Sequence, residues 1–264
     1  MRGGIVGRLM VYLALACVSP LAVPAVAAAQ GPPPAEPPPP RIWDVQFGAS
    51  FIGTNGNSDT SSVGGDFGLN RRWPLWQVEA TALAVRASAE EVQTAERYVG
   101  AFRVRRRLKP RIGFTAGTKL ERDRFAGIDF RAITDAGLTW ALVRRPTWTL
   151  DGVTAMAVNQ ERPIDGLDIN HPVGLFELMS RIPFAESGAT TQRFTYYPDF
   201  EDSEAYRLEF ELAAQAAMTE RFALKFAYLL RRSNVPVAGF EKNDSTTTAS
   251  VVVQWRAATV AQTQ

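Results

Sequence analysis

The feature that most constrains this chain is a two-residue alternation of apolar and polar side chains that recurs along most of it. In "RFALKFAYLLRR", Phe222, Leu224, Phe226, Tyr228 and Leu230 fall on one face, while Ala223, Lys225, Ala227, Leu229 and Arg231 fall on the other. "EAYRLEFELA" sets Tyr206, Leu208, Phe210 and Leu212 against Arg207, Glu209 and Glu211. "WDVQFGASF" and "STTTASVVVQWR" repeat the pattern near the two ends. A period of two is the signature of strands whose faces meet different surroundings. Beyond Arg41 no apolar run approaches the roughly 18 residues a membrane-crossing helix needs, so the architecture is all-β.

Two all-β arrangements satisfy the alternation. A soluble sandwich or barrel buries its apolar face, whereas a membrane barrel turns that face to lipid and keeps polar groups in the lumen. Alternating segments of about ten residues fit a tilted membrane strand better than the five or six usual in soluble sheets. Trp43, Trp73, Trp76, Trp140, Trp148 and Trp255 lie near segment ends, where interfacial girdles belong. Connections alternate between short ones ("RRWPL", "LKPR", "RRPT", "MTER") and longer polar ones ("TNGNSD", "SAEEVQTAE", "ERDRFAGID", "NQERPIDGLDINHP", "SNVPVAGFEKND"). The pattern predicts a single antiparallel transmembrane β-barrel of twelve strands, near 43–54, 61–71, 75–88, 93–108, 111–123, 129–144, 147–159, 173–182, 190–200, 203–217, 221–233 and 245–257. The segments at 173–182 and 190–200 alternate least regularly, which leaves ten strands as an alternative.

The barrel is expected over residues 42–257, with 258–264 as a tail. Residues 1–29 have the form of a signal peptide: Arg2 and Arg8, an apolar run broken by Pro20 and Pro24, and Ala27-Ala28-Ala29 as the cleavage site. A lipoprotein reading would make Cys17 the new N-terminus, but Ala14 and Leu15 fit that pattern poorly. Residues 30–41 contain "GPPPAEPPPP", a stiff polyproline II spacer expected on the periplasmic side.

Glycine, asparagine and aspartate in "SFIGTNGNSDTSSVGGDFGL" form a motif, Gly56, Asn57, Ser58, Asp59 and Thr60, that resembles the first hairpin of a bacterial family of salt-induced outer-membrane proteins of unknown function. "YLLRRSNVPVAGFEKNDSTTTASVVVQW" is similar to that family's last hairpin through Asn234, Pro236, Gly239, Lys242 and Asp244. The resemblance spans Trp43 to Trp255 and implies an outer-membrane barrel without supplying an activity. The partners it implies are outer-membrane lipid, the barrel-assembly machinery, and small solutes or ions. Trp255 is followed by "RAATVAQTQ", which departs from the terminal aromatic usual in such barrels, and the proline-rich spacer is a second departure.

A net charge of +2 with no isolated basic block implies no nucleic-acid partner. One cysteine and one histidine exclude a disulfide framework and a cysteine-rich zinc site. No cofactor, metal or catalytic residue is expected. His171, with Glu177 and Ser180 near it in sequence, is the sole candidate for a hydrolase histidine, and a loop position with no catalytic role is the expectation. Asp165, Asp168 and Asn170 could offer oxygens to calcium but fall short of a full ligand set.

The lumen carries the functional question. The alternation assigns it Arg103, Arg105, Arg107, Lys119, Lys225 and Arg231 against Glu79, Glu121, Asp151, Glu209 and Glu211. Such a lining makes either a small anion-biased pore or a narrow interior in which the charges pair. The expected function is a non-enzymatic outer-membrane barrel, a narrow passive channel or an envelope structural element. A secreted or periplasmic β-sandwich binding module is the alternative, and an outer-membrane hydrolase a second one.

Overall fold

A computed structural model describes residues 41–54, 60–89, 92–184 and 187–258. The sequence assigned to a signal peptide and to the proline-rich spacer through Pro40 lies outside the described residues, as do Gly56, Asn57, Ser58 and Asp59 of the first-hairpin motif. Thr60 opens the second strand.

Twelve strands form one closed antiparallel barrel among these residues. They are β1 (Arg41–Thr54), β2 (Thr60–Arg72), β3 (Trp76–Ala89), β4 (Val92–Lys109), β5 (Ile112–Asp123) and β6 (Ile128–Arg145). β7 (Trp148–Pro163), β8 (Ile169–Phe184), β9 (Gly188–Tyr197), β10 (Arg207–Ala217), β11 (Phe222–Ser233) and β12 (Asn243–Ala258) complete the ring. Each strand pairs with its sequence neighbours, and β1 closes on β12 with Val45 opposite Trp255. Closure leaves no edge strand to satisfy, which is what allows a sheet to stand in lipid. The ten-strand alternative falls away, because β8 and β9 hold a continuous ladder from Phe176–Tyr196 to Phe184–Gly188.

Several boundaries differ from the sequence expectation, and mostly in one direction. "SAEEVQTAE" is expected as a long loop, but β3 runs to Ala89 and β4 resumes at Val92. β7 extends to Pro163 and β8 begins at Ile169, so His171 is a strand residue instead of a loop residue. At this end the lengthened strands are tied to their other neighbours by charged lumen-facing pairs, Arg97 of β4 with Glu121 of β5 and Glu161 of β7 with Arg131 of β6. The opposite correction falls at β9 and β10, expected to meet near 200–203. β9 stops at Tyr197 because Asp199 bridges to Val173 instead, and β10 starts only at Arg207.

Outward-facing Phe47, Phe102, Phe114, Met156, Phe176 and Phe226 remain exposed, giving the barrel an apolar outer belt. A contiguous apolar surface of this extent is untenable in water. Phe47 packs on Phe67 at 4.9 Å and on Trp255 at 5.7 Å, joining β2, β1 and β12 on the outside. All six tryptophans lie towards the short-turn end: Trp43, Trp73, Trp76 and Trp148 flank turns or chain entry, Trp140 faces Ile112 beside the β4–β5 turn, and Trp255 faces Val45. The Arg71 guanidinium sits 4.1 Å from the Trp43 ring and 4.2 Å from that of Trp73, combining charge with aromatic surface where headgroups would lie. The girdle of tryptophan is thus one-sided.

Candidate functional site: the lumen

The inward positions follow from register. Glu79 opposes Arg103, Lys119 opposes Ala101, Asp135 opposes Gly117, and Glu209 opposes both Thr195 and Arg231. One wall is apolar: Ile133, Val153, Ala157, Val173, Leu175 and Tyr197, from β6 to β9, form a small buried core inside the barrel. Elsewhere charged side chains stand among small, polar and apolar ones such as Thr81, Leu83, Ala101 and Thr195.

Glu121 anchors the charged cluster nearest the long-loop end. Its carboxylate is 2% exposed and lies 2.9 Å from Arg97, 3.1 Å from Arg231 and 3.6 Å from Arg131. Asp123 takes Arg231 at 2.7 Å, and Glu161 takes Arg131 at 2.7 Å and Arg207 at 3.3 Å. Arg207 also donates to Asn159 at 3.2 Å. Below this layer Lys119 pairs with Glu209 at 2.7 Å, Arg103 pairs with Asp135 at 2.9 Å, and Arg105 pairs with Glu79 at 3.0 Å. Lys225 lies 3.5 Å from Asp66, and Glu211 faces Arg193 across the β9–β10 ladder.

These pairs constrain the cross-section. β5 and β11 are six strands apart around the ring of twelve, on opposite walls, yet Glu121 and Arg231 touch. Twelve strands about 4.8 Å apart and tilted about 40° would make a round barrel about 24 Å across. Extended arginine and glutamate side chains reach only about 11 Å together, from standard bond lengths. The barrel is therefore flattened in this layer, and the ion pairs bridge its lumen. Each carboxylate has several guanidinium donors, the condition under which desolvated charges are tolerable.

A cavity of about 540 Å³ lies beside and below the bridge. Its lining runs from Arg72 and Arg181 at the short-turn rim to Arg97 and Tyr197. Of the residues assigned to the lumen by alternation, Glu79, Arg103, Arg105, Lys119, Glu209, Glu211 and Lys225 line this cavity, and Glu121 and Arg231 sit in the bridge. Two others sit at the rim: Arg107 donates to the Pro74 carbonyl at 2.7 Å, and Asp151 pairs with Arg144. Arg97, Asp123, Arg131, Asp135, Glu161 and Arg207 were not among those assigned. All share the odd-number phase of the assigned residues on β4 to β11, and all but Glu161 fall inside the strand ranges expected from sequence, so carrying the alternation along the whole of each strand finds them.

The hydrolase candidates separate. His171 faces inward with Nδ1 3.1 Å from Asp199 and Nε2 3.3 Å from Glu201. Ser180 is on the outer face, where it accepts a hydrogen bond from the Trp148 indole at 3.1 Å. No serine–histidine pair results, and Glu177 lies inward at 3.9 Å from Arg193. Asp199 is held below the usual carboxylate range: burial pushes it up, but the amides of Glu201 and Asp202 and the His171 ring outweigh burial. Asp168 pairs loosely with Arg162 at 3.8 Å and Asn170 belongs to β8 opposite Gln160, so Asp165, Asp168 and Asn170 form no common ligand set.

The family described as "Protein of unknown function, DUF481" matches residues 45–255. No curated protein matches the sequence. Solved structures similar to the chain include the NanC porin, at 12% identity and a TM-score of 0.45, over 83% of this chain and 100% of that one. Another is an outer membrane channel from Pseudomonas putida F1, at 11% identity and 0.45, over 86% of this chain and 100% of that one. The translocator domain of the autotransporter NalP from Neisseria meningitidis stands at 12% and 0.43, over 83% and 89%.

Proposed function

The chain belongs to that family of proteins of unknown function, and from this premise we propose that it is a bacterial outer-membrane barrel acting as a narrow passive channel for small solutes or ions. Export by the N-terminal signal, insertion by the barrel-assembly machinery and residence in outer-membrane lipid belong to the same reading. The observation that carries it is the charge-lined cavity of about 540 Å³ inside a closed barrel with an apolar outer belt. Mixed cations and anions along the wall favour small hydrated solutes over an apolar ligand.

Planar-bilayer conductance of the purified, folded protein tests this, repeated with anion and cation gradients. Discrete conductance steps are expected. Their absence would favour the second reading, an envelope structural element, for which the ion pairs across the lumen speak. Extraction as soluble protein without heat-modifiable gel migration would overturn the membrane reading itself. The likeness of both chain ends to salt-induced outer-membrane proteins adds a trigger, raised external salt, and unchanged expression after a salt shift would remove it.

A further inference from the structure

The β11–β12 loop, residues 234–242, leaves one wall of the barrel and packs against the opposite one. A Cβ built on Gly127, in the β5–β6 turn, would lie 2.8 Å from the Phe240 ring and 3.0 Å from Val237. Because β5 and β11 are six strands apart, a loop that reaches Gly127 crosses the mouth of the lumen. Its tip is a tight turn in which the Phe240 amide donates to the Val237 carbonyl at 3.1 Å and Gly239 takes φ 85°. The receiving surface is firmly held: Ile164 donates to the Gly127 carbonyl at 2.9 Å, and Asp123 caps the 3-10 turn Arg124–Ala126.

The loop's feet tie into the lumen bridge. Arg231 and Asp244, one on each side of the loop, lie 3.7 Å apart, and Arg231 reaches across to Asp123 and Glu121. Beside them Ser233 donates to the Lys242 carbonyl at 2.9 Å, and Asn234 donates to the carbonyls of Tyr206 and Glu204. The feet are thus fixed by charge and hydrogen bonds, whereas the tip rests on the far wall through an aromatic ring and a valine. A strap anchored this way can lift at the tip while its base stays in register.

Building on the passive-channel reading, we propose that the β11–β12 loop is a strap across the long-loop mouth of the lumen, latched by Phe240 on Gly127, and that its release opens the channel. The strap is then the gate, and the Arg231–Glu121 bridge beneath it is a fixed constriction that limits conductance without closing the pathway. The cavity on the short-turn side is the vestibule below both.

Single-channel recording in planar bilayers tests this on the native barrel, on Phe240→Ala, and on a variant with Val235–Glu241 replaced by a two-residue turn. Phe240→Ala removes only the latch ring and leaves the barrel ladder untouched, so it reports even if the shortened loop prevents folding. Brief, rare openings are expected of the native protein. The open fraction should rise roughly tenfold in Phe240→Ala, the ratio that losing about half of a phenylalanine's burial produces. The shortened variant should stay open. Steady and equal conductance in all three would overturn the strap and leave the channel standing. Silence in all three would overturn both.

Discussion

Phe226→Arg tests the inside-out assignment most directly. Along β11 the outward side chains are Phe222, Leu224, Phe226, Tyr228 and Leu230, and Phe226 is 58% exposed. At about 3.4 Å per residue and a tilt of about 40°, the run from Phe222 to Leu230 rises about 21 Å, close to the ~25 Å apolar band of such barrels. Phe226 is its midpoint, and its register neighbours Ala214 and Ala249 offer an arginine no partner. An arginine at the midplane costs about 2–4 kcal/mol, and one near the interface about 0–1 kcal/mol. Phe226→Arg should therefore destabilise the folded barrel by about 2–3 kcal/mol more than Phe222→Arg. Lys225→Ala, one residue away and facing Asp66 at 3.5 Å, should cost less than about 1 kcal/mol. Reversible urea unfolding in phospholipid vesicles, followed by heat-modifiable gel migration, measures all three. Equal costs at Phe222 and Phe226, or a Lys225→Ala cost matching that of Phe226→Arg, would refute the assignment of faces.

Glu121→Gln should cost about 3–5 kcal/mol in the same assay, because it leaves Arg97, Arg131 and Arg231 desolvated around a neutral amide; a change below about 1 kcal/mol would mean the bridge is solvated. Gly137→Ala should cost about 1–3 kcal/mol, since the new methyl would press on the Thr154 carbonyl and lie 2.5 Å from the Ala155 Cα. A neutral result would show that β6 and β7 separate easily. Asp199 has a lowered folded-state value, so its contribution is complete above the ordinary carboxylate pKa near 4 and is lost as pH falls through the lowered one. His171→Ala should move that loss to higher pH, read as faster amide exchange at Glu201 and Asp202, whose N–H groups bond to Asp199; an unchanged onset would show that His171 does not act on the carboxylate.

The barrel was legible because alternation is a local property. Phe222 to Leu230 and Tyr206 to Leu212 announce their outer face without reference to any other strand, and tight turns such as Lys109–Ile112 carry their own proline and arginine signals. What sequence could not supply was distance across the lumen. Nothing in "LERD" tells Glu121 that it meets Arg231, because that contact depends on how far a closed sheet flattens. The β9–β10 loop departs from expectation for a related reason: Pro198 and Asp199 follow directly on β9, yet their backbone partners lie on β8 at Gly174 and Val173. Likewise Gly127 looks like an ordinary turn glycine until Phe240 arrives from the far wall.

The seam between β1 and β12 bears on how the chain reaches this state. Every other ladder joins consecutive strands and can zip from its own hairpin, whereas the seam pairs Val45 with Trp255 and Phe47 with Val253. Such long-range pairing pays its full chain-closure entropy before any ladder bond repays it. Until it forms, β1 and β12 each expose a row of unsatisfied backbone groups that lipid cannot solvate. Phe47 and Trp255 meet edge to face across that junction, with Phe67 tilted against Phe47 from β2, so the rate-limiting step of folding is expected to end with Trp255 reaching a ring pair already formed in the first hairpin.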